Sequence, residues 1–237
     1  MKNNAADWLD KGNHFCDIGK FKEALDCFEE GINLDSPDYR FWYNIGNALV
    51  QLYGQKGKLC YEAIKFYEIA IKFNPNDYRV WYNKGNSHFA FEEYKEALRC
   101  YDKALEINKS EKFTNTDADI LYNKGNTLLS LKKYQEAILC YNEALKTTPD
   151  DSKLWNQKGL AYFSLKKYQE AILCYETAII FNKDHIPLCN KGNALFKLKK
   201  YQEAMACYRE ALEITPDEDT SLATEIAQAM RMLSTMK

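Results

Sequence analysis

The chain has 237 residues, of which 46% are hydrophobic and 28% charged, enough apolar material for a sizeable core. Its 32 basic and 34 acidic residues leave a net charge of -2, which excludes a general polyanion binder relying on clustered Lys and Arg. Residues 1–7 carry no apolar signal-peptide core and no stretch reaches the length of a membrane span, so residence in the cytoplasm is expected and contact with a membrane is not.

One short pattern recurs along the chain. It reads Trp8-Leu9-Asp10-Lys11-Gly12-Asn13, then Trp42-Tyr43-Asn44-Ile45-Gly46-Asn47, Trp81-Tyr82-Asn83-Lys84-Gly85-Asn86 and Leu121-Tyr122-Asn123-Lys124-Gly125-Asn126. Looser copies are Trp155-Asn156-Gln157-Lys158-Gly159 and Leu188-Cys189-Asn190-Lys191-Gly192-Asn193. Each is followed by a second string such as Ala97-Leu98-Arg99-Cys100-Tyr101-Asp102-Lys103-Ala104. The glycines are 34, 39, 40, 34 and 33 residues apart, the period of a helical-hairpin repeat with two short insertions.

In chain order, the repeats are expected at 5–38, 39–77, 78–117, 118–151, 152–184 and 185–218, forming one domain. The first has Gly19 in its internal turn and Pro37 after its second helix. The second has five extra residues between its helices, around Gly54 and Gly57. The third ends in a six-residue insertion within 108–117, expected as a polar surface loop or a rim element touching a partner. Repeats four to six share Leu-Lys-Lys-Tyr-Gln-Glu-Ala at 131–137, 165–171 and 198–204. Residues 219–237 start like another first helix, with Ile226 in the glycine column, and read as a C-terminal capping helix. Its Met-rich face would also suit a dimerising helix, making a homo-oligomer the other use.

The columns are those of a packed interior. Gly12, Gly46, Gly85, Gly125, Gly159 and Gly192 each cost a helix about 1 kcal/mol against alanine, which makes sense if the second helix comes close. Ala24, Ala63, Ala97, Ala137, Ala171 and Ala204 are expected to meet them from the other side. Trp8, Trp42, Trp81 and Trp155 share a helical face with the glycine and the bulky residue three further on, so that face is expected to be core. Cys27, Cys100, Cys140, Cys174 and Cys207 occupy one column with Phe66, and read as buried free thiols rather than disulfides or metal ligands.

The order Trp, Gly, bulky residue, then Ala, aromatic, Ala and often Pro resembles the tetratricopeptide repeat, most fully over residues 81–108. The resemblance implies an all-α, right-handed superhelical solenoid of antiparallel helix pairs whose work is binding other proteins. It also implies that the face of the first helices opposite the core lines a concave groove.

On that face stand Tyr43, Tyr82 and Tyr122; Asn44, Asn83 and Asn123; Asn47, Asn86 and Asn126; and Phe89, at offsets of three, four and seven residues. A carboxamide carries both donors and an acceptor, so such a row can hold the backbone of an extended or short helical peptide. It resembles the asparagine ladder of the enzyme that adds N-acetylglucosamine to proteins. The tyrosines and Phe89 would form apolar anchors, Arg40 and Arg79 would favour an acidic residue nearby, and Lys153 joins the expected peptide-binding set. The other use of the asparagines is to bond adjacent repeats and set their stacking. A carboxylate clamp for an acidic C-terminal peptide is only partly supplied, by Asn13, Asn44 and Arg79 or by Asn86, Asn123 and Lys153, with cations missing. Single-stranded RNA could stack on the tyrosine row, against mixed charges that do not favour it. His14, His88 and His185 fall in different repeats, and no phosphate loop or metal-ligand spacing appears, so neither enzyme chemistry nor a cofactor is expected.

Overall fold

The computed structural model describes residues 4–34, 38–54, 58–108 and 114–214, together with residues 224, 230 and 231. Among the described residues are twelve α-helices and no strand. They form six consecutive hairpins: α1 (Ala5–Asp17) with α2 (Phe21–Ile32), α3 (Tyr39–Tyr53) with α4 (Lys58–Phe73), and α5 (Tyr78–Ala90) with α6 (Tyr94–Ile107). Then come α7 (Asn115–Ser130) with α8 (Tyr134–Ala144), α9 (Ser152–Ser164) with α10 (Tyr168–Phe181), and α11 (His185–Lys197) with α12 (Tyr201–Ile214). The chain divides into two compact units, Met1–Phe113 and Thr114–Lys237. Within each unit every helix packs on its chain neighbours, and successive first helices also touch: α1 with α3 with α5, and α7 with α9 with α11.

The first helix of each hairpin starts on a side-chain cap. Asn4 and Asp7 form a capping box, as do Thr114 and Asp117, while Asp38, Asp77, Asp151 and Asp184 accept backbone N–H bonds from the first turn. These oxygens satisfy donors that a helix start leaves orphaned. The Thr114 box starts α7 at Asn115 and buries Asp117, so the loop expected through 117 ends earlier; residues 109–113 lie outside the described residues.

The second helices of hairpins 1, 3, 4 and 5 have no side-chain cap and rely on the turn before them. One residue enters the left-handed region, and the next N–H returns to a carbonyl five residues back, as from Lys133 to Leu128 at 2.8 Å. Gly19 fills that position in the first hairpin, but Glu92, Lys132, Lys166 and Lys199 hold it in hairpins 3 to 6 with φ of 60 to 62°.

The glycine column has a partner that differs from the one expected. The nearest neighbour of each repeat glycine is an aromatic ring from the second helix, in the column just after the cysteines. An ideal Cβ would lie 2.5 Å from the Tyr141 ring at Gly125 and 2.4 Å from the Tyr175 ring at Gly159. Phe28, Tyr67, Tyr101 and Tyr208 hold the same place against Gly12, Gly46, Gly85 and Gly192. The alanines are fully buried beside them. Overpacking a well-filled core by one carbon costs roughly 1–3 kcal/mol, which outweighs the helix preference for alanine.

The tryptophans lie on the core face, Trp8 and Trp42 packing against the first unit's apolar cluster, but they are not enclosed as expected. Trp8, Trp42, Trp81 and Trp155 are half-buried, and the residue before Trp42, Trp81 and Trp155 (Phe41, Val80, Leu154) is the one fully enclosed. The rings lie at the edge of the face, where Lys11, Lys84 and Lys158 sit over Trp8, Trp81 and Trp155. The Trp81 and Trp155 Nε1–H groups donate to the carbonyls of Pro75 and Pro149, latching each helix to the turn before it. The column cysteines 27, 100, 140, 174 and 207 are buried free thiols, and Phe66 in that column stacks on Trp42. The capping or dimerising helix at 219–237 lies almost wholly outside the described residues; Met230 packs on the apolar cluster of the last two hairpins.

Candidate functional site

The first helices of the Met1–Phe113 unit bring Arg40, Tyr43, Asn44, Asn47, Arg79, Tyr82, Asn83, Asn86 and Phe89 onto the face opposite the alanine–glycine core. Asn44 Nδ2 donates to Asn13 Oδ1 at 2.7 Å, and Asn83 Nδ2 donates to Asn47 Oδ1 at 2.8 Å and to Tyr43 Oη at 3.2 Å. Each of these bonds joins one hairpin to the next, so the asparagines do bond adjacent repeats.

A second set of bonds runs within the hairpins. The buried tyrosine that fills the glycine notch ends in a hydroxyl, and the asparagine after the glycine accepts from it. Tyr67 donates to Asn47 at 2.9 Å, Tyr101 to Asn86 at 2.8 Å, Tyr141 to Asn126 at 2.8 Å and Tyr208 to Asn193 at 2.7 Å. The tyrosine thus reads out the asparagine, and the glycine makes room for the ring that carries it. Two hairpins break the pattern. Phe28 has no hydroxyl, and Leu160 stands where Tyr175 needs an acceptor, leaving Tyr175 Oη buried without a partner. There Asn190 Nδ2 turns instead to Asn156 Oδ1 at 2.9 Å.

Between α3 and α5, over the Tyr67 ring, lies a recess of about 330 Å³ lined by Asn47, Val50, Gln51, Asn83, Asn86 and Ser87. Three of the sequence-predicted residues meet there. Tyr67, Gln51 and Ser87 were missed; for Tyr67 the signal was available, because an aromatic residue follows the cysteine column in every repeat.

The cations have local partners. Arg79 pairs with Asp77 at 2.7 Å, and its guanidinium lies 5.8 Å from the centre of the Tyr43 ring. Asp77 also accepts from Tyr39 Oη at 2.8 Å. Burial pushes the Asp77 carboxyl up, but its bonds from Arg79 and Tyr39 together hold it below the usual carboxylate range. The bonds that Arg79 donates to Asp77 in turn raise Arg79 above an ordinary guanidinium. Arg40 is chelated by Asp38, with Nε 3.0 Å from Oδ1. A carboxylate ligand would have to displace these partners, and Asn13 and Asn44 are bonded to each other rather than arrayed for one.

In the Thr114–Lys237 unit, Tyr122 and the exposed Lys153 line a recess of about 400 Å³ with Asp119 and Asp151. Burial, then the neighbouring Asp151 charge, raises the Asp119 carboxyl. The recess is therefore not a cationic one. Asn123 and Asn126 stand on the same helix as Tyr122, and the Tyr141 hydroxyl fixes Asn126. His88, from the bulky column, is buried with its Nδ1 2.6 Å from Glu93 Oε2. Among the described residues no three His, Cys, Asp or Glu side chains stand together to hold a metal, and no helix is long and apolar enough to cross a membrane.

Family models described as tetratricopeptide repeat match residues 77–150, 152–185 and 187–218, and one described as TPR repeat matches 12–52. Among solved structures, a MamA fragment (41-end) from Desulfovibrio magneticus RS-1 is 18% identical with a TM-score of 0.68, covering 78% of this chain and 99% of that one. YrrB, described as a TPR protein with an unusual peptide-binding site, is 20% identical with a TM-score of 0.65, covering 85% of this chain and 97% of that one. The APC/C hetero-tetramer Cut9-Hcn1 is 18% identical with a TM-score of 0.68, covering 97% of this chain and 42% of that one. At these identities the likeness is one of fold. No curated protein matches the chain.

Proposed function

The chain belongs to the tetratricopeptide-repeat family, and we propose that it is a non-enzymatic, cytoplasmic interaction scaffold that lays a peptide segment of a partner protein along its first helices. The peptide runs over the Asn47–Asn83–Asn86 recess, flanked by Tyr43 and Tyr82. The observation that carries this reading is the recess itself, a carboxamide-lined hollow whose walls are held in place by inter-hairpin bonds. Fixed polar groups of this kind recognise a ligand without first losing side-chain entropy. Phe89, its ring centre 5.7 Å from that of Tyr94, belongs to this surface, and in the second unit Tyr122, Asn123, Asn126 and Lys153 offer groups of the same kind for a peptide. Met230, from the segment expected to cap the repeats, packs on the last two hairpins, which supports a cap at that end.

Alanine at Asn83 would be a poor test, because it also removes the bond that stacks α5 on α3. A photo-crosslinking amino acid at exposed Gln51, on the recess rim, avoids this, with the same group at exposed Lys65 on the outer helix α4 as control. Adducts in cell lysate from position 51 but not 65, lost when excess crosslinked-partner peptide is added, are expected. Adducts from position 65 alone would refute the groove.

A further inference from the structure

We infer that the recess between α3 and α5 is a specificity subsite for a primary carboxamide, the side chain of a glutamine or asparagine in the bound peptide. This rests on the peptide-in-groove reading above and adds to it which side chain the groove selects.

The inference comes from what the Asn47–Asn83 pair leaves unused. Asn47 Oδ1 accepts from both Tyr67 Oη (2.9 Å) and Asn83 Nδ2 (2.8 Å), which occupies its two lone pairs. Its own NH2 makes no hydrogen bond among the described residues. Asn83 spends both amide hydrogens, on Asn47 Oδ1 and on Tyr43 Oη, and its Oδ1 receives none. Two carboxamides locked to each other therefore leave one donor group and one acceptor over, on two residues that line the recess. Exchanging O and N in both amides yields the same complement in reverse, so the conclusion does not depend on how they are assigned.

Three ligand chemistries fail against that complement. A carboxylate offers acceptors only and would face Asn83 Oδ1 with like polarity. An ammonium or guanidinium offers donors only and would face the Asn47 NH2. An aliphatic side chain would bury both groups unpaired. None of the described residues that line the recess is charged, so none compensates any of them. A primary carboxamide satisfies both at once. A peptide main chain has the same two groups, but it is continuous and passes over the rim; a hollow of about 330 Å³ closed below by the Tyr67 ring takes a branch from it. Val50 gives the wall against which the CH2 stem of such a branch would lie. Sites that hydrogen-bond a ligand group reject analogues lacking it, here by an expected factor of about ten for a half-open recess.

The test uses three probes that share one backbone: the N-acetyl methylamides of glutamine, glutamate and norvaline, titrated into the 15N-labelled full chain. The side-chain NH2 signals of Asn47 and Asn83 are followed. The expected result is that the glutamine probe shifts these signals at about one tenth of the concentration the other two need. The shift should vanish in Gln51→Trp, which plugs the rim at an exposed position. Equal shifts from all three probes would overturn the carboxamide subsite while leaving backbone binding in the groove. No shift from any probe would overturn the subsite and count against the groove as well.

Discussion

At the scale of single residues, the repeated unit is a three-part device: a glycine notch, a tyrosine ring filling it, and an asparagine that accepts the tyrosine hydroxyl. Where one part changes, the others report it. Tyr175 keeps its ring against Gly159, but with Leu160 opposite it has no acceptor for its hydroxyl. A buried unpaired hydroxyl costs roughly 1–3 kcal/mol, whereas a made bond contributes about 1 kcal/mol. Tyr175→Phe should therefore stabilise the protein by about 1 kcal/mol, while Tyr141→Phe, which breaks the bond to Asn126, should destabilise it by a similar amount. Urea unfolding followed by circular dichroism reads both. Two changes of the same sign would show that the hydroxyls do not distinguish the hairpins.

At the scale of elements, first and second helices begin differently. First helices own their caps, mainly Asp at the start, so their boundaries are written in one residue. The second helices of hairpins 1, 3, 4 and 5 borrow theirs from a left-handed turn, which Gly19 occupies without strain in the first hairpin and a non-glycine residue holds in the other three. Lys132 and Lys166 hold φ near 60° at a cost of roughly 1 kcal/mol each, tolerated because the returning backbone bonds over-determine the turn. Lys132→Gly should raise the unfolding midpoint slightly, with a gain of up to about 0.5 kcal/mol once the roughly 0.5–1 kcal/mol of extra entropy of the unfolded glycine is subtracted from the relieved strain. Loss of stability would mean that the Lys132 side chain contributes more than its backbone costs.

At the scale of the whole molecule, stability resides in neighbour contacts repeated along each unit, and the thiols are placed to report it. Cys100 in the first unit and Cys174 in the second are buried, and burial pushes each up to about 11 from an ordinary 9.0. About two pH units correspond to a thiolate fraction about a hundredfold lower below both values, since the reactive species is the thiolate. At pH 8 both should label with a disulfide reagent at least about a hundredfold more slowly than free cysteine, and catch up in urea as their own unit opens. Site-resolved mass spectrometry then gives an opening curve for each unit. Fast labelling of either in the absence of urea would show that its column is open to solvent.

Much of this was written in the sequence. A period near 34 with glycine, alanine and cysteine columns determines helical hairpins, because only a notch every turn-pair lets two helices close on each other. The Asp caps set where first helices start, and the column of asparagines marked the face that carries the recess. What tertiary structure decided is the use of each group. Sequence spacing put tryptophan on the core face, yet packing left it half-buried at the edge and gave the centre to the residue before it and to the tyrosines. Nor could spacing say that Asn47 and Asn83, 36 residues apart, would bind each other and leave one donor and one acceptor over. A hydrogen bond between hairpins depends on how far and at what angle one stacks on the next, and that is fixed by rings and methyl groups in the core rather than by the residues that bond.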